Sequence, residues 1–186
     1  MRLVAILGSA TPPGRLHRAI SDALAREREG VERELIDLGQ RRLAAADGRP
    51  LDALDDDTPA TVGAIAGADA VLFATPVYRG SMTGTLKNLL DHVPVEALRD
   101  KPVAIVAMGA SDHHYLGAER HLRDVLAFFG ALVVPTASYL SSRDFDDGVP
   151  GAGAAAELDA LIAATVALAR ASLGPLGPEP LSTRGR

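Results

Sequence analysis

The stretch DAVLFATPVYRGSMTGTLKNLLDH, from Asp69 to His92, passes from an apolar run through a polar turn into a helical pattern. The run DAVLFA is short and almost wholly apolar, which is typical of a strand buried on both faces of a sheet. After the turn, Leu86, Leu89 and Leu90 recur at the spacing of one helix face. A buried strand followed directly by a helix predicts one βα unit of a parallel sheet.

The same alternation recurs along the chain and predicts an α/β fold. Strands are predicted at residues 2–7, 31–38, 69–74, 101–108 and 131–135, with residues 136–140 extending the sheet. Helices are predicted at residues 15–24, 58–67, 86–92, 114–129 and 157–173. The second helix would have Thr58 as its N-cap and Pro59 at its first position. Strands and helices in this order predict one parallel sheet with helices on both faces.

A single domain is expected over residues 1–173. The remaining segment, residues 174–186, carries three prolines and three glycines and is expected to be disordered.

Composition and charge exclude several classes of protein. The chain has 186 residues, no cysteine and a net charge of −5, so no disulfide framework is possible. It has no basic stripe with interleaved aromatic residues of the kind that binds nucleic acid. No basic and apolar leader precedes the first strand, and no apolar run approaches the roughly 18 residues that span a bilayer. We therefore expect a cytoplasmic protein that binds neither nucleic acid nor a membrane.

The ligand site is expected at one edge of the sheet. In a doubly wound parallel sheet, ligands bind outside the carboxyl ends of the strands, where the winding direction reverses. The loops that follow strands one, three and four are GSATPPGRLH (residues 8–17), TPVYRGSMTG (residues 75–84) and GASDHH (residues 109–114).

The first of these loops has the groups of an anion site. Ser9 and Thr11 offer hydroxyls, and the N–H groups of residues 15–17 enter a helix whose N-terminus favours negative charge. Arg15 adds a cationic fork that suits a phosphate. A nucleoside-triphosphate loop is excluded, because Arg15 stands where that motif has lysine and Leu16 where it has a hydroxyl residue. A terminal monophosphate fits best, and the alternative is an ordinary βα turn stiffened by two prolines.

The second loop has features that suit contact with a planar ring. Pro76 stiffens the turn, and Gly80 lets the backbone approach a flat ligand. Tyr78 can cover an aromatic ring. The hydroxyls of Ser81 and Thr83 either cap the following helix or bond the ligand. Together the two loops predict a planar heteroaromatic ring whose phosphate lies at the first loop.

Three segments carry a family resemblance: GSATPPGR at residues 8–15, TPVYRGSMTGTLKNLLDHVP at residues 75–94, and AMGASDHH followed by LRDVLAFFGA at residues 107–131. In their order and spacing they resemble the NAD(P)H-dependent FMN reductases, especially the flavin reductases that serve two-component monooxygenases. The specific part is P-V-Y-x-G-S-x-T-G-x-L-K-x-x-L-D. The resemblance implies a flavodoxin-like three-layer sandwich whose five-stranded parallel sheet has the order 2-1-3-4-5.

The resemblance also implies FMN as cofactor and suggests the residues that bind it. The phosphate contacts would come from the first loop: Ser9, Arg15, Leu16 and His17, with Thr11 beside them. The isoalloxazine contacts would come from Pro76, Val77, Tyr78, Arg79 and Ser81. The other edge of the ring would face Gly109, Ala110, Ser111 and His114. Two positions depart from the family pattern, since His17 replaces a hydroxyl residue that is frequent in relatives and Ala110 replaces the second glycine of a G-G-S/T loop.

Hydride transfer from NADPH or NADH to FMN needs no catalytic nucleophile, because the cofactors carry the reactive centres. We therefore assign no catalytic residue. We also assign no metal site, since His113, His114 and His121 lack acidic or cysteine partners at ligand spacing.

Reduced FMN is expected to pass to a partner monooxygenase. One alternative is a reductase that keeps FMN bound and reduces quinones, azo dyes or metal oxyanions. Another is a flavodoxin-type electron carrier without nicotinamide turnover. The resemblance further implies a homodimer or homotetramer formed through the helices after strands three and four, where Leu122, Val125, Phe128 and Phe129 give a broad apolar face.

Overall fold

The computed structural model describes residues 1–9, 11, 13–26, 28–171 and 173–178. A parallel sheet forms its centre, with strands β1 (Arg2–Leu7), β2 (Glu32–Asp37), β3 (Ala70–Pro76), β4 (Pro102–Met108), β5 (Leu132–Val133) and β6 (Ser138–Leu140). The strand order is β2-β1-β3-β4-β5, and β6 also pairs with β4. The predicted order 2-1-3-4-5 and the flavodoxin-like fold are therefore confirmed.

The fifth strand of the sheet is split into two short pieces. The first, β5, pairs with the start of β4 through Val133 and Val103, and β6 pairs with its end. Pro135 lies between the pieces and has no N–H to donate to β4, so the ladder is interrupted there. Of the predicted extension at residues 136–140, Ser138–Leu140 joins the sheet as a separate segment.

In the described part of the chain, five α-helices cover the sheet: α1 (Arg15–Ala25), α2 (Thr58–Ala66), α3 (Gly84–His92), α4 (Tyr115–Phe129) and α5 (Ala152–Arg170). Successive residues of a buried strand point to opposite faces, so two separate cores form. On one face, Leu3 and Leu72 pack with the apolar sides of α1 and α5. On the other face, Ile6 and Phe73 pack with α2, α3 and α4. The three-layer sandwich follows directly from this arrangement.

Several element boundaries differ from the predictions. Helix α2 begins at Thr58 with Asp57 in the N-cap position, because the Thr58 hydroxyl accepts a hydrogen bond from the Ala44 N–H at 3.0 Å and does not cap the helix. Helix α5 begins at Ala152, five residues before the predicted start at Glu157. The residues added to α5 are mostly alanine, which has the highest helix propensity but gives no amphipathic pattern.

A short antiparallel hairpin was not predicted from the sequence. It consists of β7 (Phe145–Asp146) and β8 (Val149–Pro150), which pair only with each other. Each strand has two residues, too few for an alternating pattern to be recognised. The hairpin lies against α1, near the first of the three loops.

By length and composition, α5 could cross a membrane, and it is the one such helix in the described part of the chain. The prediction that no segment reaches this length and apolar character was therefore too strong. Leu158, Ile162 and Val166 of α5 are buried in the core formed with α1 and the sheet. Core packing thus accounts for the apolar residues on the buried side of α5.

The predicted disordered tail falls largely outside the described residues, which end at residue 178. In the part described, residues 174–178 form no helix or strand. The Leu176 N–H donates a hydrogen bond to the Asp100 carboxylate at 3.4 Å.

Candidate functional site

A cavity of about 210 Å³ lies at the carboxyl ends of β1, β3 and β4, where the first and second loops meet. One group of lining residues comes from the first loop and the start of α1: Ser9, Thr11, Pro13, Gly14, Arg15, Leu16 and His17. The opposite group comes from the strand ends and the second loop: Leu7, Pro76, Tyr78 and Met108. The cavity therefore has one polar, basic side and one apolar side.

The basic side is built at the start of α1. Gly14 occupies the N-cap position in an extended conformation, and no side chain of the described residues caps the helix. The Ser9 and Thr11 hydroxyls lie 2.9 Å apart. The Arg15 side chain makes no hydrogen bond or ion pair with another described residue. An uncapped helix N-terminus, two hydroxyls and an unpaired guanidinium are the donor set that a phosphate monoester needs.

His17 is held in place by a buried carboxylate. Its Nδ1 lies 2.9 Å from Oδ2 of Asp37 at the end of β2, and the other oxygen of Asp37 accepts the Gly39 N–H at 2.9 Å. Asp37 is only 7% exposed, whereas the His17 ring is partly exposed and lines the cavity. This geometry suits an N–H at Nδ1 of His17 that donates to the Asp37 carboxylate, with Nε2 left to face a ligand.

A buried hydrogen-bond network joins the first loop to the second. The Thr83 hydroxyl donates to the Gly8 carbonyl and accepts the Leu86 N–H at 3.1 Å, so Thr83 also caps α3. The Thr83 N–H donates to the Thr75 hydroxyl at 3.2 Å. Of the two roles proposed for Thr83, capping is therefore the one observed. The network fixes the distance between the phosphate side and the apolar side of the cavity.

The second loop ends in a tight turn from Tyr78 to Ser81. Tyr78 and Ser81 exchange both backbone hydrogen bonds, and the two residues between them have positive φ, 53° at Arg79 and 76° at Gly80. Two positive φ values define a type I′ turn, which Gly80 adopts freely and Arg79 only with strain. Tyr78 is 47% exposed, so its ring is available to a ligand.

This turn rests on α4 through two contacts. The Ser81 hydroxyl lies 2.9 Å from Nδ1 of His121. Gly117 packs so closely that an added Cβ would overlap the Gly80 carbonyl oxygen. These contacts with α4 therefore fix the position of the turn relative to the cavity.

The third loop is fixed by Tyr139 of β6. The Tyr139 hydroxyl donates to the Ser111 carbonyl at 2.5 Å and occupies the space that a side chain at position 109 would need. Burial, with a smaller contribution from the Asp112 carboxylate, raises the pKa of Tyr139 and keeps its hydroxyl protonated as a donor. Asp112 also forms an ion pair with Arg143 at 2.5 Å. The loop after β4 is thereby tied to the segment after β6.

Seven of the predicted site residues line the cavity: Ser9, Thr11, Arg15, Leu16, His17, Pro76 and Tyr78. The other seven do not line it: Val77, Arg79, Ser81, Gly109, Ala110, Ser111 and His114. Val77 and Gly109 nevertheless follow Pro76 and Met108, which are paired neighbours of β3 and β4. The third loop therefore begins beside the cavity, while His114 lies farther on, exposed at the start of α4.

Several residues that build the site were missed in the sequence. Met108 lines the cavity, Asp37 holds His17, and Tyr139 fixes the third loop. Asp37 offered a signal, because it is an acidic residue at the end of the strand beside β1. Met108 and Tyr139 offered none, since each lies within an ordinary strand pattern.

Comparison with known proteins identifies the family. A family model described as NADPH-dependent FMN reductase matches residues 1–146. The chain belongs to this family. It is 38% identical over 152 residues to the NADH-dependent FMN reductase SfnF of Pseudomonas fluorescens, covering 79% of this chain and 80% of that protein. It is 35% identical over 117 residues to an NAD(P)H-dependent FAD/FMN reductase of Geobacillus thermodenitrificans, an alignment that spans 63% of each protein.

A solved structure agrees with this family assignment. The apo form of an NADH:FMN oxidoreductase, EMOB, superposes with a TM-score of 0.72 at 28% identity, covering 98% of this chain and 93% of that one. The predictions of an oxidoreductase family and of FMN and NAD(P)H as its cofactors are confirmed at the level of the family.

The cavity fits part of an FMN molecule. Arg15, the Ser9 and Thr11 hydroxyls and the start of α1 would hold the phosphate, and Tyr78 and Met108 would contact the ring. Bound there, FMN supplies the two-electron chemistry, and the chain supplies position and charge. The cavity is smaller than the roughly 300–1,000 Å³ of a pocket that encloses a ligand of this size, so it accommodates part of the molecule.

Two of the histidines considered as metal ligands, His113 and His121, contact serine hydroxyls. Nδ1 of His113 lies 3.1 Å from the Ser111 hydroxyl, and His121 contacts Ser81. Within the residues that the structure describes, no group of three or more histidine, cysteine or acidic side chains is placed to hold a metal ion.

Proposed function

We propose that this protein oxidises NADH or NADPH, reduces FMN and releases the reduced flavin to a flavin-dependent monooxygenase. The observation that carries the proposal is the junction of the uncapped start of α1 with the apolar wall of Pro76, Tyr78 and Met108 in one cavity. A basic pocket joined to an apolar surface suits a phosphate attached to a flat ring. In this reaction a hydride, which is one proton with two electrons, passes from the nicotinamide to the flavin.

Release of the flavin is supported by the openness of the site. Tyr78, which would cover the ring, is 47% exposed, and the cavity of about 210 Å³ encloses only part of the cofactor. A cofactor that buries little apolar surface dissociates readily, because the free energy of binding grows with the area removed from water. This favours exchange of FMN over permanent retention.

The direct test uses protein stripped of flavin and mixed with NADH or NADPH, with and without FMN. We expect the nicotinamide absorbance to fall only when FMN is present, and gel filtration to separate FMN from the protein. No FMN-dependent oxidation with either nucleotide would contradict the proposal and favour a flavodoxin-type carrier. FMN that stays bound through gel filtration, with turnover only when a quinone, azo dye or metal oxyanion is added, would favour a reductase of those acceptors.

Arg15→Ala is expected to weaken FMN binding about tenfold, or about 1.4 kcal/mol, because it removes the cationic fork from the phosphate side of the cavity. The affinity is measured by quenching of flavin fluorescence. Arg18→Ala is the matched control, since Arg18 lies on the same helix and does not line the cavity. Equal FMN affinities for both variants would place the phosphate elsewhere.

We also propose that two copies pair through the exposed face of α4, with α3 beside it. Two apolar side chains of α4 reach the surface: Leu116 is 43% exposed and Phe128 is 59% exposed. We expect the protein to sediment as a dimer or tetramer, and Phe128→Asp to shift it toward the monomer. Val149→Asp, which changes an exposed apolar residue of the hairpin, is the control and should leave the oligomer intact. A monomeric protein, or an unchanged Phe128→Asp variant, would contradict this interface.

A further inference from the structure

The guanidinium of Arg15 lies over an aromatic ring of the unpredicted hairpin. Its central carbon is 5.5 Å from the centre of the Phe145 ring, within the range of a cation–π interaction. Phe145 does not line the cavity and lies 130 residues further along the chain. Phe145 therefore affects the candidate phosphate site only through its contact with Arg15.

Arg15 has little else to hold its side chain. The residue is exposed, and Phe145 is the only described partner of its guanidinium. A free arginine side chain samples many rotamers, and fixing them costs up to about 2 kcal/mol of conformational entropy. Part of that entropy is already lost when the guanidinium rests on a ring, so less is lost when a ligand binds.

The hairpin that presents Phe145 is firmly anchored. Before it, the Asp144 carboxylate accepts the Ser141 N–H at 2.6 Å and the Ser141 hydroxyl at 2.9 Å. After it, the Gly151 N–H donates to the Asp144 carbonyl at 2.9 Å. The positive φ values of Asp147 and Gly148 give the type I′ turn that favours an Asp-Gly pair.

Phe145 itself packs partly into the core beneath the hairpin. It is half-buried and contacts the cluster formed by α1, α5 and the sheet. One part of the ring is thus fixed by the core, while the guanidinium covers another. The position of the ring is therefore restrained by the core as well as by its contact with Arg15.

We propose that Phe145 is a positioning residue for the flavin phosphate, acting through Arg15. The inference rests on the proposed function, because it requires FMN as the ligand. Phe145 holds the guanidinium over the start of α1, where the phosphate charge is expected. The hairpin therefore contributes to the discrimination between FMN and riboflavin, which has the same ring without the phosphate.

The test compares FMN and riboflavin binding to the whole protein by fluorescence quenching. For Phe145→Leu we expect the Kd for FMN to rise about threefold to tenfold, and the Kd for riboflavin to change by less than about twofold. Phe145→Tyr and Phe145→Trp keep an aromatic face and should retain the preference for FMN. Val149→Ala shortens an exposed apolar side chain of the same hairpin and should change neither Kd.

A double-mutant cycle separates positioning from general damage to the fold. In the Arg15→Ala background, Phe145→Leu should have no further effect on FMN binding, because the group that it orients is gone. Equal losses for FMN and riboflavin, or an undiminished loss in the Arg15→Ala background, would overturn the inference while leaving the proposed function intact. Failure of the unaltered protein to bind FMN would overturn both.

Discussion

Thr83→Val is expected to lower the free energy of unfolding by about 2–4 kcal/mol. The Thr83 side chain is 1% exposed, donates to the Gly8 carbonyl and caps α3 at the Leu86 N–H. Valine has the same shape and no hydroxyl, so it leaves a buried carbonyl and a helix N–H without their partner. Chemical denaturation measures the loss.

The same substitution two residues later is the control. Thr85 lies within the first turn of α3, is half-buried and makes no described side-chain hydrogen bond, so Thr85→Val should change stability by less than about 0.5 kcal/mol. Thr83→Ser keeps the hydroxyl and should retain most of the stability. A Thr83→Val variant as stable as Thr83→Ser would show that the network between the two loops contributes little.

Gly117→Ala is expected to destabilise the protein by about 2–3 kcal/mol and to weaken FMN binding. Alanine normally stabilises a helix relative to glycine, but at position 117 its Cβ would overlap the backbone carbonyl of Gly80. The Gly80 carbonyl belongs to the backbone, so it cannot avoid the overlap by a change of rotamer as a side chain could. The turn from Tyr78 to Ser81 must therefore move away from α4, which also breaks the contact of Ser81 with His121.

Gly63→Ala provides the matched control for this prediction. Gly63 lies in α2, is exposed, and has no atom within 4 Å of the position where a Cβ would be added. There the substitution should stabilise the protein by about 0.5–1 kcal/mol. Thermal unfolding and flavin fluorescence measure the two effects. If both variants gained stability and bound FMN equally well, the close packing of α4 on the turn would be disproved.

The sequence was sufficient to predict the fold and the edge of the sheet where the cavity forms. Runs such as RLVAIL and DAVLFA are apolar and short, so they predict buried strands without any knowledge of their neighbours. The loop at Ser9 and the loop at Pro76 could be located because parallel strands bring their carboxyl ends to one edge. The half of the predicted site that lines the cavity belongs to these two loops.

The rest of the site depends on partners far apart in the chain. Thr83 and Gly8 are 75 residues apart, and Tyr139 and Ser111 are 28 apart. A local pattern shows that Thr83 can cap a helix, but it cannot show which carbonyl its hydroxyl meets. The same limit applies to His114, which lies exposed at the start of α4 and does not line the cavity, so its contact with the ring stays a prediction.

The sequence by itself determined the order of strands and helices, the two loops that flank the cavity and the family to which the chain belongs. These features follow from periodicity and from motifs within continuous segments. Only the tertiary structure decided that Asp37 orients His17, that Gly117 supports the turn at Gly80 and that Phe145 lies under Arg15. The physical reason is that contacts depend on distances of a few ångströms between separate elements, and those distances are set by how both faces of the sheet pack.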